Sequence, residues 1–145
     1  MKILVLSDNH YRNIDFNLNE YDYIIHLGDR GIFDAKGVIY VKGNCDYDGE
    51  KLIITNINNK KVLITHGDLY NVKETLIRLT FLAREKNVDY VFFGHTHIPL
   101  FFEYEKIKFI NPGAYIDGRY VVINEEEIIF YKENFIEKKI KNEWW

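Results

Sequence analysis

Five short polar motifs lie directly after apolar runs, and this repeated order constrains the fold more than any other feature of the chain. The runs are rich in β-branched and aromatic residues, which is typical of buried strands; they span Ile3–Leu6, Tyr23–Leu27, Val38–Val41, Val62–Thr65 and Tyr90–Phe93. The motifs that follow them are Asp8-Asn9-His10, Gly28-Asp29, Gly43-Asn44, His66-Gly67 and Gly94-His95-Thr96-His97. Because open α/β sheets bind ligands beyond the carboxyl ends of their strands, we expect these motifs to form one site.

The clearest helical pattern runs from about Lys73 to Lys86, where apolar residues recur at three- and four-residue spacing. Asn71 is expected to cap this helix, with Glu74 completing a capping box. The helix would connect the strands Val62–Thr65 and Tyr90–Phe93, which predicts a parallel pair with a right-handed crossover.

Beyond His97 the pattern changes to short strands separated by turns, which indicates an antiparallel arrangement. The predicted strands are Leu100–Glu105, Ile107–Ile110, Tyr120–Ile123 and Ile128–Tyr131. Two sheets are therefore expected to face each other across one core. The last segment, Glu133–Trp145, is interpreted as a fringe that packs its aromatic residues on the surface.

Length, charge and cysteine usage exclude several classes of protein. A chain of 145 residues is expected to form one domain, 1–145. The net charge of −3 disfavours a general affinity for nucleic acid, although a small nucleotide is compatible with it. The single cysteine excludes an internal disulfide and fits a reducing compartment. The apolar start, Ile3–Leu6, is too short for a signal peptide or a membrane span, so we expect a cytoplasmic protein without membrane partners.

The residue types in the motifs suit metal binding. Four of the five histidines follow predicted strands, and carboxylates and one carboxamide accompany them without any thiolate. Oxygen and nitrogen donors of this kind favour manganese, iron or zinc over an iron–sulfur cluster. The fifth histidine, His26, lies inside a predicted strand and is expected to have a structural or supporting role.

In this order the motifs resemble those of the calcineurin-like metallophosphoesterase superfamily, in particular its small single-domain prokaryotic phosphodiesterases. The resemblance extends from Leu6 to Gly113. It implies an α/β fold: a four-layer α/β/β/α sandwich with two facing mixed sheets.

The resemblance also implies a role for each motif residue. Seven side chains would hold two divalent metal ions: Asp8, His10 and His97 the first, Asn44, His66 and His95 the second, and Asp29 both. Manganese is the expected metal, with nickel, iron and zinc as alternatives. A hydroxide bridging the two metals would attack phosphorus in line with the leaving group. Asp29, Asn44 and His95 are the residues expected to act in catalysis.

Many members of the superfamily place a histidine after the metal-binding asparagine, as an acid for the leaving group, whereas this chain has Cys45. A thiol with an ordinary pKa of about 8.5 is a poor substitute. Phosphomonoesters with basic leaving groups would suffer most from this loss, and the small phosphodiesterases also carry cysteine here, so a phosphodiester is the expected substrate. Cys45 itself is interpreted as a small buried spacer.

Other residues have weaker indications. Arg30, Tyr11 and Arg12 are candidates for contacting the substrate phosphate, although solvated loop side chains fit the same pattern. Asp46 is expected to orient a ligand histidine.

Three alternatives to a phosphodiesterase of small phosphoesters remain open. The first is a non-catalytic scaffold that binds protein partners, as the superfamily's subunit of the retromer coat does. The second is a nuclease or cyclic-nucleotide phosphodiesterase, and the third is a structural or storage metal site. An apolar patch at Phe101, Phe102 and Tyr104 would suit a protein partner or a homodimer.

Overall fold

The computed structural model describes residues 1–31, 37–142 and 145. These residues form one α-helix, α1 (Ile77–Lys86), and short 3₁₀ turns at Leu18–Glu20, Asp68–Tyr70 and Tyr115–Asp117. Their strands, in chain order, are β1 (Lys2–Leu6), β2 (Tyr23–His26), β3 (Val38–Tyr40), β4 (Leu52–Ile57), β5 (Lys60–Thr65), β6 (Tyr90–Phe92), β7 (Leu100–Tyr104), β8 (Ile107–Asn111), β9 (Arg119–Asn124), β10 (Glu127–Lys132) and β11 (Phe135–Lys141).

The strands form two mixed sheets, as the sequence predicts. The first has the order β11-β10-β9-β1-β2-β3 and the second the order β4-β5-β6-β8-β7. Strands β1, β2 and β3 are parallel, and so are β5, β6 and β8, while the remaining neighbours pair antiparallel. The strands after His97 are thus divided between the sheets, with β9 to β11 extending the first and β7 and β8 completing the second.

The inner faces of the two sheets pack against each other to form the main core. Ile3 and Val5 of β1 contribute to the same buried cluster as Ile64 of β5 and Phe92 of β6. β1 is buried from Ile3 through Leu6. Because both faces of this strand are buried, neither can be polar, which explains its continuous apolar sequence.

The outer faces of the sheets are covered unequally. Leu79 and Ala83 of α1 cover the second sheet. On the first sheet, Leu4 and Leu6 pack with Tyr115 and Tyr120, and with partly buried residues from the segment that contains the Leu18–Glu20 turn. In the described residues, one helical layer is therefore a single helix and the other consists of 3₁₀ turns.

The helix starts later than the sequence predicts. Asn71 is in the left-handed conformation, with φ of 56°, at the end of a 3₁₀ turn, so it does not cap α1. Turns occupy the next residues, and the hydroxyl of Thr75 accepts the N–H of Ile77 at the true start of the helix, 3.3 Å away. The parallel connection β5-α1-β6 is confirmed.

The structure contains two strands, β4 and β11, that the sequence analysis does not predict. β4 pairs with β5 through a two-residue turn, Asn58-Asn59, in which both residues have positive φ, as such hairpins require. β11 is an exposed strand at the sheet edge with lysine and glutamate side chains, which resembles a solvated segment in sequence. The interpretation of residues 133–145 as a fringe is therefore wrong for 135–141.

Trp145 packs against one end of the core. The ring of Trp145 stacks on that of Tyr90, with centroids 4.1 Å apart, and its Nε1–H donates to the carbonyl of Ile57 at 2.9 Å. Trp144 lies outside the described residues.

The predicted apolar patch at Phe101, Phe102 and Tyr104 is not a single surface. Adjacent strand residues point to opposite faces, so Phe101 packs toward the inter-sheet core while Phe102 packs on the side of α1. Exposed apolar area occurs instead where Tyr104 lies beside Phe81 of α1, along a common groove.

No helix among the described residues has the length and hydropathy that crossing a membrane requires.

Candidate metal centre

The polar motifs of both sheets meet at one edge of the sandwich. The loops after β1 and β2 continue the pairing of their strands, since the N–H of Asp8 donates to the carbonyl of Gly28 and that of His10 to the carbonyl of Asp29, both at 2.9 Å. In the second sheet, the N–H of Gly94 donates to the carbonyl of His66 at 3.0 Å. The backbone thus holds the motifs in place beyond their strands.

Asp8, His10 and His97 form the first group, with ligand atoms within 4.8 Å of one another. The buried carboxylate of Asp8 lies with Oδ1 3.1 Å from Nε2 of His97. Its Oδ2 accepts the hydroxyl of Ser7 and the N–H of His95. The structure thus brings together the three residues that the sequence assigns to the first metal.

Asn44, His66 and His95 form the second group. Nε2 of His66 lies 2.9 Å from Oδ1 of Asn44 and 3.1 Å from Nδ1 of His95. Nδ1–H of His66 donates to the carbonyl of Leu27 at 2.7 Å. This bond fixes the ring so that the other nitrogen, Nε2, faces the group, which is how metal-binding histidines are commonly oriented.

Asp29 lies between the two groups. Its Oδ2 is 3.3 Å from Nε2 of His66, and its Oδ1 accepts the N–H of Cys45 at 2.8 Å. One of its oxygens lies within 4.8 Å of ligand atoms of Asp8 and His66, and likewise of His10 and Cys45. Burial raises the pKa of Asp29, but the imidazole of His66, the N–H of Cys45 and the charge of His10 together outweigh it and hold that pKa well below its usual range.

The donor atoms fit divalent cations. Bonds of about 2.0–2.2 Å to a metal place neighbouring ligand atoms about 3 Å apart, and the distances in the second group are of this size. When Nδ1 of His66 carries the only ring proton, lone pairs of Nε2 and of Asn44 Oδ1 face each other, so a cation or a proton has to lie between them. The neighbouring carboxylates also affect His66. Burial lowers the pKa of this histidine, but Asp29 and Asp8 raise it above its usual value.

Two glycines allow this close approach. A Cβ on Gly43 would overlap the carboxylate and the backbone nitrogen of Asp29, and one on Gly94 would overlap the hydroxyl of Ser7. Neither glycine is needed for a positive φ, since neither adopts one. The loops that carry Asn44 and His95 therefore pack directly on the loops that carry Asp29 and Asp8.

Asp46 supports the site in a different way from that expected. Its carboxylate accepts the backbone N–H groups of Asp29, Arg30 and Gly43, at 2.8, 3.1 and 2.9 Å. The expectation that Asp46 orients a ligand histidine is therefore wrong. A carboxylate that binds backbone groups is hard to recognise in sequence, because its partners depend on the conformation of the loop.

Cys45 is exposed, so its interpretation as a buried spacer is wrong. It belongs to a loop that projects beyond the sheets, and both its backbone N–H and its thiol lie against the carboxylate of Asp29. Desolvation and the charge of Asp29 raise the pKa of the thiol. Cys45 is thus protonated at neutral pH in this environment.

The predicted substrate-binding residues have different surroundings. Arg12 pairs with Glu133 at 2.9 Å and donates to the carbonyls of Tyr115 and Ile116, which ties the loop after β1 to the loop before β9 and to the β10–β11 turn at the same edge of the sheet. Arg30 donates to Asp48 at 2.7 Å and packs over a tyrosine ring. Tyr11 is 78 % exposed. The role of all three in substrate binding stays a prediction.

Two asparagines that sequence reasoning did not single out hold the loops. Asn9 donates to the carbonyls of His10, Arg12 and Arg30. Asn111, at the end of β8, donates to the carbonyl of Gly94 and to the hydroxyl of Thr96, at 3.1 and 3.0 Å. The position of Asn9 between two candidate ligands is the signal that would have pointed to it.

His26 is buried beneath the site. Its Nε2–H donates to Oδ1 of Asn9 at 2.7 Å, and the N–H of Gly28 donates to its Nδ1 at 3.1 Å. Both ring nitrogens are therefore satisfied in the neutral form. Burial lowers the pKa of His26 from 6.5 to about 3, and the supporting role expected from the sequence agrees with this position.

The neutral state of His26 predicts a pH dependence of stability. The folded pKa is depressed, so the unfolded chain binds more protons and stability falls as pH drops from about 6.5 toward about 3. Between pH 7 and pH 5 the loss is about 2 kcal/mol from this residue alone. Urea unfolding of metal-free protein should show this loss in the wild type and not in His26→Gln; equal slopes in both would contradict the assignment.

Comparison with known proteins shows the family of the chain. Residues 1–122 match the calcineurin-like phosphoesterase superfamily domain. The chain is 32% identical over 127 residues to the probable metallophosphoesterase YsnB of Bacillus subtilis, covering 79% of this chain and 75% of that protein. It is 31% identical over 152 residues to phosphodiesterase MJ0936 of Methanocaldococcus jannaschii, covering 81% of this chain and 88% of that protein.

Solved structures share the fold. A predicted phosphoesterase from Streptococcus pneumoniae superposes with a TM-score of 0.81 at 24% identity, over 97% of both chains. Vps29 of Entamoeba histolytica, complexed with Zn²⁺, superposes with a TM-score of 0.75 at 20% identity, over 97% of this chain and 99% of that one. With the family match over most of its length and relatives above 30% identity, the chain belongs to the calcineurin-like phosphoesterase superfamily.

Proposed function

We propose that this phosphoesterase hydrolyses phosphodiesters with the help of two divalent cations. The observation that carries the proposal is the convergence of seven ligand-type side chains from both sheets, with Asp29 between the two groups. Asp8, His10 and His97 would hold one cation, and Asn44, His66 and His95 the other. Manganese is the proposed metal and nickel, iron and zinc are the alternatives, since oxygen and nitrogen donors suit all of these cations.

The residues of the chain prepare the site in three ways. Asp29 offers a carboxylate to both groups while the N–H of Cys45 holds it in place. The carbonyl of Leu27 sets the ring of His66, and the N–H of His95 helps to fix Asp8. When bound, two cations would supply Lewis-acid stabilisation of the charge that grows on the phosphoryl oxygens and would acidify a water molecule.

Diesters are favoured over monoesters by the residue after Asn44. Cys45 takes the position where an imidazole would protonate a basic leaving group, and the raised pKa of its thiol makes it a weaker acid for that purpose. The similarity to a relative named as a phosphodiesterase supports the same choice.

An exposed free thiol beside a metal site suits a reducing compartment, so we propose that the protein is cytoplasmic. A homodimer stays a prediction, although the patch of Phe101, Phe102 and Tyr104 expected to form its contact is divided between two faces.

The proposed function is tested by hydrolysis of bis-p-nitrophenyl phosphate. Metal-stripped protein is titrated with manganese, nickel, iron or zinc, and we expect turnover that rises with added metal and falls again with a chelator. No turnover with any of these metals would favour a scaffold that binds protein partners.

Replacing Cys45 by histidine tests the choice between diesters and monoesters. An imidazole at this position would supply the missing acid, a contribution typically worth 10²–10⁴-fold. We expect the ratio of monoester to diester hydrolysis to rise by about tenfold or more in Cys45→His. Cys45→Ser is the control that removes the thiol without adding an acid. An unchanged ratio in Cys45→His would place substrate choice elsewhere.

A further inference from the structure

We propose that the cleft beside the metal centre binds a nucleoside, with its base stacked on Tyr11 and Tyr47. The substrate class would then be a phosphodiester that carries a nucleoside as one of its two arms. This inference rests on the proposed diesterase function and adds the identity of the arm that is not the leaving group.

The cleft lies next to the metal centre and is large enough for such a group. Its volume is ≈ 300 Å³, at the lower end of the range of about 300–1,000 Å³ typical of small-ligand pockets. Its walls include Tyr11, Arg30, Cys45, Asp46, Tyr47 and Asp48. Tyr11 follows the candidate ligand His10, and Cys45 follows Asn44. A phosphodiester at the metal centre can therefore extend one arm into the cleft.

Two aromatic side chains stand open to solvent at this cleft. Tyr11 is 78 % exposed and Tyr47 is 100 % exposed. Aromatic rings of this kind are platforms for nucleobases, because every base offers a π-face to stack on. Two such rings at one cleft beside a phosphoester site therefore favour a base over an aliphatic arm.

The backbone presents both rings from anchored positions. Tyr47 lies between Asp46, which accepts three backbone N–H groups, and Asp48, which accepts a hydrogen bond from Arg30. Tyr11 lies within a turn in which the N–H of Arg12 donates to the carbonyl of Asn9 at 2.8 Å. Because the backbone is already ordered, little conformational entropy is lost when a base binds.

The charges of the cleft select a neutral arm. Asp46 and Asp48 bring two carboxylates, and the guanidinium of Arg30 is already paired with Asp48 at 2.7 Å. Among the described residues that line the cleft, the basic side chain is that of Arg30, so a second phosphate there would be repelled by the carboxylates. A nucleoside carries no charge beyond the phosphate at the metal centre and avoids this repulsion.

Two substrates with the same leaving group test the inference. We compare kcat/KM for the p-nitrophenyl ester of thymidine 5′-phosphate with that for methyl p-nitrophenyl phosphate, using the manganese-loaded protein. The thymidine ester should be preferred by about tenfold or more, as expected for stacking of one base. Tyr47→Ala and Tyr11→Ala should each lower this preference several-fold, whereas Tyr47→Phe should keep it, because the ring face remains.

Phe135→Ala is the matched control, since Phe135 is a 77 % exposed aromatic residue on β11, outside the cleft. Equal kcat/KM for the two esters, or a preference that survives both alanine substitutions, would overturn the nucleoside inference while the diesterase function stands. If neither ester is hydrolysed, the proposed function fails, and saturation-transfer NMR with thymidine 5′-phosphate tests the nucleoside inference separately. Saturation of the base protons by the wild type and not by Tyr47→Ala would support the inference. Equal saturation by the two proteins would overturn it.

Discussion

Replacing Asp29 by asparagine is expected to lower kcat for a phosphodiester by about a thousandfold and to reduce the metal bound per chain. Asparagine has the same shape, so the loop that contacts Asp29 through the N–H of Cys45 can keep its place. The variant lacks the negative charge that lies between the two groups of ligands, and losses of 10²–10³ follow removal of even one stabilising group from an active site. Turnover of bis-p-nitrophenyl phosphate and metal content by atomic absorption measure both effects.

Asp117→Asn is the control for this substitution, because Asp117 is an exposed carboxylate in the Tyr115–Asp117 turn. It should bind metal and turn over substrate as the wild type does. Unchanged metal content and turnover in Asp29→Asn would show that Asp29 does not connect the two groups.

Gly43→Ala is expected to abolish tight metal binding although it removes no ligand. The added methyl group would overlap the carboxylate and the backbone nitrogen of Asp29, so one of the two loops has to move. Alanine is compatible with the backbone conformation, because φ of Gly43 is not positive. Catalytic geometry tolerates displacements of well under 1 Å, so we expect at least a hundredfold loss of kcat/KM together with weaker metal binding.

Gly37→Ala separates this overlap from the general cost of replacing a glycine. Gly37 has φ of 84° and open space around its Cβ position, so alanine there is strained but contacts nothing. A stability loss of about 1 kcal/mol with normal metal binding is expected. If Gly43→Ala binds metal as tightly as Gly37→Ala, the close packing of the loops on Asp29 is not required.

The sequence predicts where the candidate ligands lie relative to the strand ends better than it predicts which strands pair. The seven candidate ligands follow the ends of five strands by one to five residues, so their places depend on local strand ends and on the general geometry of parallel sheets. The pairing of β1 with β9, in which Ile3 lies opposite Ile123, depends on contacts between distant parts of the chain that no local pattern encodes. For the same reason, the strands after His97 could be recognised but not assigned to their sheets.

Supporting contacts were the least predictable part of the site. Asp46 binds backbone N–H groups, and Arg12 reaches Glu133 across the first sheet, 121 residues away in sequence. Both depend on the three-dimensional path of loops rather than on residue type. The start of α1 was misplaced for a related reason, because Asn71 suits a left-handed turn as well as a helix cap.

The most direct test of the account is electron paramagnetic resonance of metal-free protein titrated with manganese. Two ions that share the carboxylate of Asp29 are expected to be magnetically coupled, and turnover should rise with the second equivalent bound per chain. Saturation by a single equivalent, or a spectrum of isolated ions at full activity, would contradict a centre in which Asp29 joins two metals.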